Sequence, residues 1–178
     1  MKNYSSAFTL LELVVTTALV GIMAAIGISQ FSAYKIHAYN ATAALNLNLA
    51  AGIAMAIDQE FDNARISTTS PAYTWCYFGG KYSPPNCSDA NYSSNQPMTS
   101  FIPEKMLNDP NFYVGIFLSR QPDSNPFFVR SLAAQAFACN GTQGFQITRY
   151  TGGAADGQSF KTTFDIATQA SYWSLFCP

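Results

Sequence analysis

Apolar positions fall into three regimes along this chain. From Phe8 to Ile28 they form a run interrupted by one ionisable side chain, Glu12. As a helix this run spans roughly 30 Å, the thickness of a bilayer's hydrocarbon core. Beyond it Phe31, Tyr34, Ala38, Ala41, Leu45, Leu49, Gly52 and Ala56 recur at steps of three and four, with Ile53 and Ile57 widening the stripe. Lys35, His37, Asn40, Asn46 and Asn48 lie opposite, so this half is predicted to lay the stripe on a sheet and turn the polar side to water. The helix is predicted to stop near Phe61 to Ala64, where Asn63 and the stretch Ser67-Thr68-Thr69-Ser70-Pro71 break the pattern.

From Pro71 to Pro110 the chain is rich in Ser, Asn, Pro, Gly and Tyr, with Gly79-Gly80, Pro84-Pro85 and Gln96-Pro97 as punctuation. It reads mainly as a long loop with a short hairpin at Tyr73 to Phe78. Then alternation takes over: Phe112, Val114, Ile116 and Leu118 oppose Tyr113, Gly115, Phe117 and Ser119, and Phe127 to Leu132 and Gly144 to Tyr150 are further strand candidates. In Ser131 to Ala138 the Ala and Gln content favours helix while the flanking strands favour extension; we read it as strand. An antiparallel meander of three or four strands covering the amphipathic helical half is the expected product. No internal repeat is apparent.

The position of Glu12 changes this picture. A lone charge in a membrane-length helix costs on the order of 3 kcal/mol unless something pairs with it, which marks it as a functional candidate. The leader Met1 to Ala7 is polar, carries Lys2, and ends in a small residue before the apolar run rather than after it. A secretory signal has the reverse order and loses its apolar segment on cleavage. Cleavage after Ala7 would retain it. Phe8-Thr9-Leu10-Leu11-Glu12-Leu13-Val14-Val15 after such a leader resembles the prepilin signature of type IV pilins and of the related type II secretion pseudopilins. The resemblance covers about the first fifty residues, through Gly21 and Gln30-Phe31-Ser32-Ala33-Tyr34.

That resemblance implies an α+β pilin fold, a long N-terminal helix with a membrane-spanning half and an amphipathic half packed on a small antiparallel sheet. It implies a leader 1–7 removed by a prepilin peptidase, N-methylation of Phe8, an apolar half 8–30, and a periplasmic or extracellular domain 31–178. The domain divides into a helical half 31–62, a loop 63–111 and a β-region 112–178. Glu12 is then the assembly residue, neutralising the terminal amine of a neighbouring subunit. The chain departs from the family in having Ala7 where Gly usually precedes the scissile bond, and Ser29 where a helix-kinking Pro is common. Gly21 and Gly27 remain as points of helix flexibility, each costing roughly 1 kcal/mol relative to Ala, so a milder interruption than Pro is expected. Ala18, Gly21, Ala24 and Ala25 permit close helix approach.

Composition narrows the remaining options. With 178 residues, 48% hydrophobic and 11% charged, the chain can bury one core. A net charge of −1 gives no footprint for nucleic acid. Lys2 at the short end favours a cytoplasmic N-terminus, which places Cys76, Cys87, Cys139 and Cys177 in an oxidising compartment. Three pairings are open to four cysteines. Cys76 with Cys87 would staple the long loop, and Cys139 with Cys177 would tie the tail to the sheet, similar to the carboxy-terminal disulfide region of many pilins. A zinc site is disfavoured by the absence of CxxC and by a single histidine, His37, far off on the helix.

No catalytic constellation emerges, and neither a cofactor nor a metal is expected. His37 reads as a surface residue; Asp58, Glu60 and Asp62 as a solvated helix end, with calcium the minor reading; and Gly141 and Gly152-Gly153 as turns. Asn86, Asn91 and Asn140 form chance-frequency sequons. Phe8, Phe31, Tyr34 and Tyr39 resemble the aromatic spacing of short pilins for which electron conduction has been proposed, but aromatic residues at helical spacing are more simply packing elements. The sequence is therefore expected to encode a structural subunit of a type IV pilus, a helical homo-oligomer for adhesion or surface motility. Its partners would be the prepilin peptidase and an assembly platform in the inner membrane, where the precursor is held. A pseudopilin or a minor pilin is the alternative.

Overall fold

The computed structural model describes residues 9–63, 72–88, 98–121, 130–166 and 175–177. Helix α1, Leu10–Asn63, is followed by β1 (Ala72–Gly79), β2 (Tyr82–Ser88), a 3-10 turn (Met98–Phe101) and the single-turn helix α2 (Glu104–Leu107). Then come β3 (Phe112–Arg120), β4 (Arg130–Ala138), β5 (Gln143–Thr151), a second 3-10 turn (Gly153–Ala155) and β6 (Ser159–Asp165). The chain divides into two compact units with the boundary between His37 and Ala38, so α1 contributes to both.

In the second unit the strands form one antiparallel sheet of six, in the order β2-β1-β3-β4-β5-β6, against which α1 packs. The expectation of three or four strands is corrected. Segment 63–111, expected to be mainly loop, holds β1 and β2 as well as the two short helical turns. Aromatic and β-branched residues drive β1, with Thr74, Cys76 and Phe78 buried in alternation. Pro84 and Pro85 are tolerated in β2 because it is an edge strand, whose outer N–H groups have no ladder partner to lose. Of the expected strand Phe127 to Leu132, Arg130 to Leu132 belong to β4, and residues 127–129 lie outside the described residues. At the other edge, β6 was not anticipated, because Ser159-Phe160-Lys161-Thr162-Thr163-Phe164-Asp165 has few apolar residues and stays mostly exposed.

The Ala-rich segment before Cys139 is a strand despite its helical composition. β3 and β5 pair with it on both sides, Val114 opposite Ala136 and Ala136 opposite Phe145, and tertiary pairing overrides propensity. Leu132, Ala134 and Ala136 point into the main core with Val114, Ile116 and Leu118 of β3 and with Leu47, Ala50, Ala54 and Ile57 of α1. Small residues on both sides let the helix ride close to the sheet. The reverse face of the sheet has its own core of Tyr113, Phe137 and Phe176, flanked by Tyr77, Tyr82 and Phe164. Tyr113 stacks on Phe137 at 4.8 Å between ring centroids and meets Phe176 at 4.6 Å.

The helix face is the largest correction. Residues buried on the sheet are Asn40, Ala43, Leu47, Ala50, Ala51, Ile53, Ala54 and Ile57, whereas Leu45 is 67% and Leu49 47% exposed. Of the stripe predicted to pack, Ala38, Ala41, Leu45, Leu49, Gly52 and Ala56 all point to solvent in this unit, and Phe31 and Tyr34 are exposed in the first. At 100° per residue Leu47 and Leu45 lie on nearly opposite sides. The helix is apolar on both: Ile53 and Ile57, which widened the predicted stripe, do pack on the sheet, together with Leu47 and the small alanines, while Leu45 and Leu49 face away from it.

Candidate functional site

At its start α1 is capped by Thr9. The Thr9 carbonyl accepts from the Glu12 N–H at 3.1 Å and the Leu13 N–H at 3.2 Å, and the Thr9 hydroxyl oxygen also accepts from the Glu12 N–H at 3.2 Å. Thr9 is therefore the N-cap and Glu12 the third residue of the helix, the spacing of a Thr-x-x-Glu capping pattern. Thr9-Leu10-Leu11-Glu12 spells this in the sequence, and its capping role was overlooked beside the charge. Glu12 stands exposed in the first turn, where the positive end of the helix dipole favours a carboxylate. Its side chain can accept hydrogen bonds from an incoming cation. Ala7 and Phe8, the expected cleavage and methylation positions, lie outside the described residues.

The hydroxyls of Thr16, Thr17 and Ser29 are satisfied within the helix. Thr16 and Thr17 donate to the carbonyls of Glu12 and Leu13, each at 2.9 Å, and Ser29 to that of Ile26 at 2.9 Å. Such internal satisfaction is what a bilayer interior demands. Around the exposed Leu11, Val20, Ile22 and Ile28, α1 has a stretch long and apolar enough to cross a membrane. A Cβ added to Gly21 or Gly27 would meet no heavy atom within 4 Å, and the helix runs unbroken through both and through Ser29.

In the second unit two features stand out on α1. Asn40, assigned by pattern to the solvent side, is only 9% exposed and clamps the β4–β5 turn. Its Oδ1 accepts from the backbone N–H of Thr142 at 3.0 Å and of Gln143 at 3.3 Å, while Nδ2 donates to the Thr142 hydroxyl at 3.1 Å. On the opposite side the face carrying Leu45, Leu49 and Gly52 is uncovered, and a Cβ on Gly52 would meet nothing within 4 Å. This face combines large apolar side chains with a glycine that lets another backbone approach.

Bonds join Cys76 to Cys87 and Cys139 to Cys177. The first crosses the β1–β2 pair, where the two residues face each other in register. The second holds the tail against the reverse face of the sheet, where the Lys81 N–H donates to the Phe176 carbonyl at 2.9 Å. Gly80, at φ +55°, is needed there, because a Cβ would strike that same carbonyl.

Asp58 faces Arg130 at 3.6 Å, and the side chains of Glu60 and Asp62 lie outside the described ones. Among the described residues no three His, Cys, Asp or Glu groups gather as a metal would need. His37 is exposed, as are Asn86 and Asn140, while Asn91 lies outside the described residues. Gly152-Gly153 form a turn whose Gly152 N–H donates to Asp156 Oδ1 at 2.9 Å. Tyr39 packs against Phe112, with centroids 6.3 Å apart.

A capped apolar helix long enough to cross a membrane, with a carboxylate in its first turn, fits a membrane-anchored class of protein. Residues 2–28 match the family model of the prokaryotic N-terminal methylation motif, typical of type IV pilins and pseudopilins. The comparisons with curated proteins and with solved structures gave no match. Motif and helix together fit a membrane-anchored precursor processed by a prepilin peptidase.

Proposed function

We propose that the chain is a structural subunit of a type IV pilus, which assembles by helix bundling into an extracellular filament for adhesion or surface motility. The apolar half of α1 anchors the precursor in the inner membrane. Cleavage after Ala7 frees the amine of Phe8, which is methylated, and the assembly platform moves the helix from lipid into a bundle of its own kind. There Glu12 of one subunit neutralises the amine of another, since an uncompensated charge in an apolar bundle is strongly unfavourable.

The observation that carries this reading is the uncovered face of Leu45, Leu49 and Gly52. A helix apolar on two sides needs cover on both, and the sheet covers one. A bundle of like helices suits the other. The experiment is electron microscopy of cells lacking the gene, with complementation. Loss of surface filaments supports the pilus subunit; intact filaments with lost protein secretion would replace it with the pseudopilin reading.

A further inference from the structure

A cavity of about 280 Å³ opens between the last turns of α1, strands β4 and β5, and the turn carrying Asp156. It adjoins a smaller recess of about 120 Å³ that shares Met55, Leu132 and Arg149 with it. The two arginines of this cavity are in different states. Arg130 faces Asp58 at 3.6 Å. Arg149 is exposed; its Nη1 lies 3.3 Å from the Met55 sulfur, and among the described residues it has no carboxylate partner. A guanidinium presents a planar fork of donors that matches a carboxylate in bidentate fashion, and a thioether leaves most of that capacity unused.

We propose that this cavity binds a carboxylate-bearing sugar ring, a uronic-acid unit of an acidic polysaccharide, with Arg149 as the carboxylate partner. Charge favours a monoanion over a multiply charged anion such as phosphate, because the cavity's two arginines are balanced by Asp58 and Asp156, whose repulsion grows with each added negative charge. The walls decide between an acidic sugar and a simple acid. Met55 and Leu132 offer an apolar surface for the C–H face of a ring, while Gln59 and Thr151 line the same cavity with an amide and a hydroxyl for ring hydroxyls. The volume is near the lower end for small-ligand clefts, roughly 300 Å³, which suits one ring rather than a long oligomer. The site does not depend on the helix N-terminus, so it stands whichever filament the subunit builds.

The test is calorimetric titration of the full-length protein in detergent micelles with a galacturonic acid trisaccharide, its neutral galactose counterpart, a short peptide with a free carboxy-terminus, and inorganic phosphate. Saturable, salt-sensitive binding of the uronate is expected, with the other three much weaker. Arg149→Gln should weaken it roughly ten- to hundredfold, the range for a hydrogen bond to a charged group, and Arg149→Lys should recover part of the loss. Gln59→Ala, in the same lining, should weaken it by a smaller factor. Lys161→Gln on β6 should leave it unchanged. Equal binding of the neutral sugar, preference for the peptide or phosphate, unchanged affinity in Arg149→Gln, or no saturable uronate binding would each overturn the proposal.

Discussion

Replacing Asn40 with Ala tests whether a single carboxamide fastens the β4–β5 turn to α1. The substitution removes the acceptor for the Thr142 and Gln143 N–H groups and the donor to the Thr142 hydroxyl. Asn40 itself is 9% exposed, but Thr142 and Gln143 reach solvent, so water can replace part of what is lost. The cost is therefore about 2 kcal/mol, in the middle of the range for buried groups that lose a partner. Ala is also the better helix former, by roughly 0.6 kcal/mol, which offsets part of the loss. Asn48→Ala isolates that gain, because Asn48 lies on the same helix and is exposed.

The two variants should consequently part in opposite directions, Asn40→Ala melting below the parent and Asn48→Ala slightly above. A difference of about 2–2.5 kcal/mol corresponds to roughly 4–10 °C for a chain of this size. Thermal unfolding of the full-length protein in detergent, followed by circular dichroism, reads it directly. Asn40→Asp is informative beside them, since it keeps the acceptor oxygens and loses only the donor; it should fall between Asn40→Ala and the parent. Melting temperatures for Asn40→Ala and Asn48→Ala within 1 °C of each other would refute the clamp.

Three further outcomes are expected. Mature protein should begin at Phe8 with a methylated amine, as mass spectrometry of the purified product will show; a chain starting at Met1 or beyond Ile28 would overturn the processing scheme. Cys177→Ser opens a loop of 38 residues, worth about 4 kcal/mol by chain entropy, and should lower subunit abundance in immunoblots, whereas unchanged abundance would deny the tail a structural role. Glu12→Val should leave membrane-fraction protein intact while suppressing surface filaments, and normal filament numbers would remove Glu12 from the assembly mechanism.

What the sequence made legible depended on whether local pattern and long-range pairing agreed. The span of β3 was readable because its period of two was strong. β2 was hidden by its prolines and β6 by its polar composition, since edge strands gain their order from one neighbour and carry weak patterns. At the helix, the stripe rule assumes one apolar face. Here Leu45 and Leu49 outshone the alanines at 43, 50 and 54, although small side chains are what a close helix–sheet contact requires. Asn40 shows the same limit, for nothing local distinguishes an asparagine that reaches water from one that reaches Thr142. At the N-terminus, Glu12 was conspicuous by charge alone, and the Thr9 cap was written three residues before it.

The uncovered face also bears on how work is divided along α1 in the proposed filament. Fully burying a leucine is worth about 2 kcal/mol. With Leu45 67% and Leu49 47% exposed, covering both contributes roughly 2 kcal/mol per subunit. Holding a subunit in place costs at least about 4 kcal/mol in lost translational and rotational freedom. Those two leucines cannot hold a filament together. The larger reserve lies in the first unit, where Leu10, Leu11, Leu13, Val14, Leu19, Ile22 and Ile28 are each at least half exposed. In the proposed precursor lipid would already satisfy that reserve, so its proposed transfer into a bundle would gain little by hydrophobicity and would rest on close packing and on the Glu12 pairing. The face of Leu45, Leu49 and Gly52 lies beyond the bilayer-length run that ends at Ile28. On the proposed reading this face would meet water in the precursor and be covered only on assembly, which would give a modest patch an influence out of proportion to its area.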